Sequence, residues 1–135
     1  MSFVVDCSVA ARWFLPDEAT PYTDAAFDLL ESRDAVVPTL LLSEFSNVFL
    51  KLARQRKLPH AIAQGVVQRF TSLGLTVDRH TPEPERLFAL ADHYGLSAYD
   101  ATYLELALRL AVPLACWDGG LKAAAKKAGL YLDTA

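Results

Sequence analysis

Four carboxylates in the 135-residue chain stand where a negative charge is costly. Asp6 follows the apolar run Phe3-Val4-Val5, and Glu44 interrupts "PTLLLSEFSNVF". Asp100 lies within "LSAYDATYLELALRLA", and Asp118 sits between "PLACW" and Gly119-Gly120. A charge beside a buried segment carries a desolvation penalty unless it meets a partner. Each acid has a local explanation. Asp6 and Asp118 can cap the helices that follow them, Asp100 can form a capping box with Ser97, and Glu44 can face solvent. Taken together, several carboxylates on one rim repel unless they are protonated or neutralised by a cation. Donors that are all oxygen favour a hard ion such as Mg²⁺ or Mn²⁺. Magnesium binds few carboxylates and keeps several waters, which leaves positions for phosphate oxygens. The chemistry this suggests is metal-assisted phosphoryl or phosphodiester work.

Parallel strands bring such residues to one rim. Short apolar runs predict strands at 3–5, 35–37, 75–78, 113–116 and 130–132. Helical patterns fall at about 8–14, 22–32, 39–56, 60–72, 84–94, 97–111 and 119–128. Leu41, Phe45, Val48 and Leu52 mark the apolar stripe of the third helix. Pro59 separates that helix from the next, and Gly74, Gly95 and Gly129 stand where helices should end. The alternation implies an α/β fold, one domain over 1–135, with a central parallel sheet of about five strands flanked by helices. Ligands of such sheets bind beyond the carboxyl ends of strands where the strand order reverses. If the first and fourth strands are neighbours there, Asp6 and Asp118 enter one crevice.

Composition bounds the rest. Hydrophobic residues make up 53% and charged residues 21%, which is a globular balance. Two cysteines, Cys7 and Cys116, form no zinc-ligand pattern and suit a reducing cytosol. Met1 leads almost directly into a strand with no leader pattern, and no apolar run approaches the ~18 residues of a membrane span. The expected location is cytoplasmic. Net charge is −3, against a nonspecific nucleic-acid coat, but residues 51–80 carry 6 basic and 1 acidic side chains, a local +5. An acidic molecule with one basic segment can hold a cation in one place and a polyanion in another.

"VVDCSV", the Glu44 block, "SAYDATYLELA" and "LACWDGGLKAAAKKAGL" occur in that order over nearly the whole chain. This arrangement resembles the PIN domain family, in particular bacterial VapC-type toxins. The resemblance implies a metal-dependent endoribonuclease, usually a homodimer, neutralised by a cognate VapB antitoxin. It places Asp6, Glu44, Asp100 and Asp118 as an acidic quartet with Ser8 as a polar neighbour, and it implies products with 5′-phosphate and 3′-hydroxyl ends. One departure stands out: Cys116 occupies the position, two residues before the last aspartate, where family members commonly carry Thr or Ser. A thiol is a poor substitute for a hydroxyl in hydrogen bonding. That leaves an alternative, a catalytically weak or inactive module that binds RNA or protein.

On the enzymatic reading, Asp6 and Asp100 are the main inner ligands of Mg²⁺. Asp118 completes the site directly or through water, and Glu44 holds an outer water or a second ion. A histidine mechanism fits less well, because His60, His80 and His93 stand apart from the acidic blocks. Lys51, Arg54, Arg56 and Lys57 can reach an RNA backbone, or they can simply favour the end of their helix. Trp13 and Phe14 are expected to pack in the core or at a dimer contact. Haloacid-dehalogenase-like phosphatases need a second aspartate at position 8, where this chain has Ser8. Response-regulator receivers need a lysine after the last strand, where it has Asp133.

Overall fold

The computed structural model describes residues 1–117 and 119–134; Asp118 lies outside the described residues. Strand β1 (Ser2–Val5) runs through the middle of the molecule, and Phe3, Val4 and Val5 are completely buried. A strand covered on both faces reads as a continuous apolar run, as this one does. It pairs in parallel with β2 (Asp34–Pro38) on one side and β4 (Leu114–Ala115) on the other, and β3 (Thr76–Asp78) extends the β2 edge. The order is β3-β2-β1-β4. The chain therefore steps outward from β1 to β3 and then crosses back to β4, so the order reverses between β1 and β4 as expected. The fifth strand expected at 130–132 contracts to a parallel bridge between Leu114 and Tyr131. Leu114 N–H donates to the Leu130 carbonyl at 2.7 Å, and Leu132 N–H donates to the Leu114 carbonyl at 2.9 Å.

Seven α-helices are described, at the expected places: α1 (Cys7–Arg12), α2 (Pro21–Asp28), α3 (Thr39–Arg54), α4 (His60–Thr71), α5 (Pro84–Tyr94), α6 (Ala98–Leu110) and α7 (Gly119–Lys127). The buried stripe of α3 is Leu41, Phe45 and Phe49, whereas Val48 and Leu52 are only partly buried. The difference has a packing cause. Phe45 stacks on Phe70 of α4 at 3.9 Å, and Phe49 lies 4.9 Å from Phe45. This rotates Val48 and Leu52 toward a cleft shared with α1. Phe14 meets Phe45 edge-on at 5.6 Å, and Trp13 meets Phe27 at 5.5 Å while its indole N–H donates to the Thr23 carbonyl. Both aromatics are packing residues.

Gly95, with φ of 67°, ends α5 in the left-handed region that suits glycine. The turn it makes allows Ser97 to cap α6, its hydroxyl accepting from the Asp100 N–H at 3.1 Å. Only this half of the expected capping box forms among the described residues. At its other end α6 is tied to the sheet by Arg109, which bonds Asp78 at 2.6 Å and the buried Glu105 at 3.0 Å. Removing one partner of a buried pair leaves its mate desolvated and uncompensated. Because Arg109 is itself 31% exposed, Arg109→Ala should cost about 2 kcal/mol, below the usual range for a fully buried pair. Thermal melting checks this, with an expected fall of roughly 5–10 °C. An unchanged midpoint would mean that water already compensates Glu105.

Candidate metal centre at the strand ends

Backbone continuity places Asp6 directly after β1, where the rim of the sheet meets the start of α1. It caps that helix, as its local explanation requires, and it does more. Its Oδ1 accepts from the Ser8 hydroxyl at 2.7 Å and from the Val9 N–H at 3.0 Å. Both bonds end on one oxygen, which leaves Oδ2 available to a ligand. Asp6 is only 8% exposed. Burial pushes its carboxyl up to about 6, the two hydrogen bonds oppose that rise, and the charges of Asp100 and Glu44 add to it. The same pair of charges therefore reaches Asp6 from α6 and α3.

Glu44, half-buried on α3, is raised first by desolvation and further by Asp100, against the lowering effect of a hydrogen bond from Tyr103. Asp100 is raised by desolvation. Three of the four sequence-predicted acids thus converge, and among the described residues none is ion-paired with a basic side chain. Ser8 is beside Asp6 as expected, and its Oγ also accepts the Trp117 N–H at 3.2 Å. That bond fastens the end of β4 to the start of α1. Asp118, the residue after Trp117, lies outside the described residues.

Sequence reasoning missed Tyr103. It is 2% exposed, and its hydroxyl donates to Glu44 Oε1. Burial and the Glu44 charge push the phenol far above its ordinary range, so it remains a donor. The signal was present: Tyr103 follows Asp100 by three residues, and such a pair shares one helix face. Cys7, next to Asp6, is pushed up to about 12 by burial and then by the Glu44 and Asp6 charges. It stays a thiol and is not a nucleophile at neutral pH.

The remaining candidates stand apart. His60 borders a groove of about 390 Å³ between α3 and α4, lined by Phe49, Ala63 and Val67 and containing none of the acids. His80 lines a cleft beside Pro38 and Tyr99, and His93 lies edge-on to Tyr94. Lys51, Arg54, Arg56 and Lys57 are exposed around the end of α3. Arg54 is ten residues beyond Glu44, about 15 Å along the helix axis.

The donor set suits a hard divalent cation. All three carboxylates are oxygen donors whose mutual repulsion and burial a cation would relieve. Among the described residues no group of three or more Asp, Glu, His or Cys side chains stands close enough to hold a metal ion. Asp6 and Asp100 alone match the few carboxylates that Mg²⁺ takes while retaining waters.

A parallel α/β domain with an acidic centre where the strand order reverses is thus in place. A family model described as "PIN domain" matches residues 3–127, and the chain belongs to that family. Among solved structures, PAE2754 from Pyrobaculum aerophilum is similar with a TM-score of 0.76 and 22% identity, over 99% of this chain and 90% of that one. VapBC2 from Rickettsia felis, bound to a DNA fragment from its promoter, gives 0.63 at 12% identity over 87% and 88%. Mycobacterium tuberculosis VapC20, a sarcin-ricin loop cleaving toxin, gives 0.61 at 18% identity over 90% and 94%. At these identities the likeness concerns the fold. No curated protein matches the chain. No helix among the described residues is long and apolar enough to cross a membrane.

The raised carboxyl of Asp6 makes a stability prediction. Its folded value of about 6 exceeds the ordinary 3.8, so folding favours the protonated form. The stabilisation is complete below about pH 4 and is lost as pH rises through about 6. Asn keeps the Oδ1 acceptor and caps well. Asp6→Asn should therefore melt with the wild type near pH 4 and above it near pH 7.5, by at most about 3 kcal/mol, at 1.36 kcal/mol per unit. Adding Mg²⁺ should raise the wild-type midpoint and leave the variant nearly unmoved. A variant that is less stable at both pH values would contradict this electrostatic account.

Proposed function

We propose that this protein is a metal-dependent endoribonuclease that hydrolyses RNA phosphodiester bonds, the toxin of a VapBC-type pair. The supporting observation is the convergence of three buried or half-buried acids, without a basic counter-charge among the described residues, at the reversal point of a PIN domain. VapC20, similar in fold, is described as a sarcin-ricin loop cleaving toxin.

Asp6 and Asp100 are the residues to hold Mg²⁺ or Mn²⁺, with Asp118 as a third ligand. Such an ion activates water near neutral pH and stabilises charge on the phosphate during in-line displacement. The protein's own groups prepare that step. Ser8 and Val9 fix Asp6 through Oδ1, so its second oxygen keeps one direction. Tyr103 occupies Oε1 of Glu44, so the remaining oxygen can orient a water or accept its proton. Cleavage on this route leaves 5′-phosphate and 3′-hydroxyl ends.

The partner is a small VapB-like antitoxin. An arginine from it can stand in for the ion, since a guanidinium pairs two carboxylate oxygens at once and stays charged. A homodimer in the cytoplasm is the proposed working form. The binding-only alternative rests on Cys116. That side chain is completely buried in the protein, where a hydroxyl could act only on a neighbouring group or a bound water.

Incubation with a mixed RNA pool tests the reading. Cleavage should stop with chelator, return with Mg²⁺ or Mn²⁺, and be abolished by Asp100→Asn. Cleavage that persists undiminished in chelator would falsify it. Tyr103→Phe deletes one hydroxyl and should lower kcat roughly tenfold, the low end for groups that orient a metal-site residue, with KM little changed. A rise in KM alone would assign the phenol to substrate contact.

A further inference from the structure

Beyond the acids, a run of cations and aromatic rings leaves the site in one direction. Arg12, in the last turn of α1, donates through Nη1 to the Ser8 carbonyl at 2.8 Å, and its Cζ stands 5.5 Å over the Trp117 ring. Trp117 lies 6.5 Å from Tyr22, which stacks on Tyr131 at 5.5 Å. Over Tyr131 stand two ammonium groups of α7, Lys122 Nζ at 5.6 Å and Lys126 Nζ at 5.2 Å. All the rings are partly exposed, and Lys126 is exposed. The inner end of the run is one residue from the centre, because Ser8 accepts Trp117 N–H and bonds Asp6.

We propose that this run is the track that holds the backbone of a single-stranded RNA as it leaves the acidic centre. The inference rests on the nuclease reading and deepens it by naming the substrate contacts. Among the described residues, Arg12, Lys122 and Lys126 are not ion-paired with any carboxylate. Contact with a ring attracts a cation without neutralising it. It also holds the charged heads in place, which reduces the ordering cost when a phosphate arrives. Arg12 spends one donor on Ser8 and keeps the others of its five N–H groups for phosphate oxygens. An acidic pocket repels a polyanion, so a cation beside it is where attraction is needed. The cluster at Lys51, Arg54, Arg56 and Lys57 is larger, but it starts seven residues beyond Glu44, about 10 Å along the helix axis, and among the described residues no ring contact or side-chain hydrogen bond leads from it back to the acids.

The test compares Arg12→Gln, the double variant Lys122→Gln/Lys126→Gln, and the charge-matched control Arg79→Gln/Arg86→Gln. Single-turnover cleavage of a 2′-hydroxyl RNA oligonucleotide is followed against salt. Binding of the same RNA to each change in the Asp6→Asn background is read by fluorescence anisotropy in chelator. The slope of log affinity against log salt should become shallower by about 0.7 for each track cation removed. KM should rise about tenfold for the lysine pair, while the control stays at wild-type values. Melting midpoints should stay within a few degrees of wild type. Equal slopes in the track and control variants would overturn the proposal, as would weak binding accompanied by a large fall in melting temperature, which assigns the cations to packing. A wild-type protein that cleaves nothing yet binds RNA with the predicted slopes would remove the nuclease reading and leave the track standing.

Discussion

Keeping Asp6 ionisable at the end of a fully buried strand is the constraint on which the other features of the site depend. A carboxylate there pays for desolvation, and two further acids add to the penalty. The fold offsets part of it locally through Ser8 and Val9. It does not offset the rest, because β1, α3 and α6 are held too firmly to let the acids separate. Phe45 and its ring partners fasten α3 to α4, and Arg109 fastens α6 to the edge of the sheet. Such stored repulsion is a common mark of sites built for a charged ligand.

Much of this could be read from the sequence, for identifiable reasons. Phe3-Val4-Val5 is apolar at every position, and only a strand covered on both faces tolerates that. Proline and glycine marked helix ends, so the seven helices fell in place. The acids were visible because a charge among apolar residues demands a partner. What the sequence did not show depends on rotation and reach. The stripe of α3 turned on whether Val48 or Phe49 faces inward, and contacts with α4 decided it. The last strand shrank to a bridge because, among the described residues, Leu114 is the one strand residue whose backbone pairs with it. Tyr103 escaped notice since a tyrosine on an apolar helix face reads as core, and its hydroxyl partner is 59 positions away. The run from Arg12 to Lys126 joins five places along the chain, and no local pattern reveals that.

Local and distant requirements also meet in single residues. Asp6 is helix cap and site acid at once, and Ser8 is bonded both to Asp6 and to the chain end of β4. Substitutions here act on folding and on ligand affinity together. That is why the neutral, cap-competent Asn is the informative change at position 6, and an alanine is not.

The crossing of the chain back to β4 carries a temporal consequence. The acids come from the first strand end, the third helix and the sixth, and Trp117 bonds Ser8 where β4 lies against β1. During synthesis, the amino-terminal half emerges with Asp6 and Glu44 but with no Asp100 to complete the cluster. Half-made chains on a ribosome, and fragments trimmed by proteases, therefore carry the parts of the centre and not the centre itself. The site is complete only where segments from the start of the chain to β4 have come together.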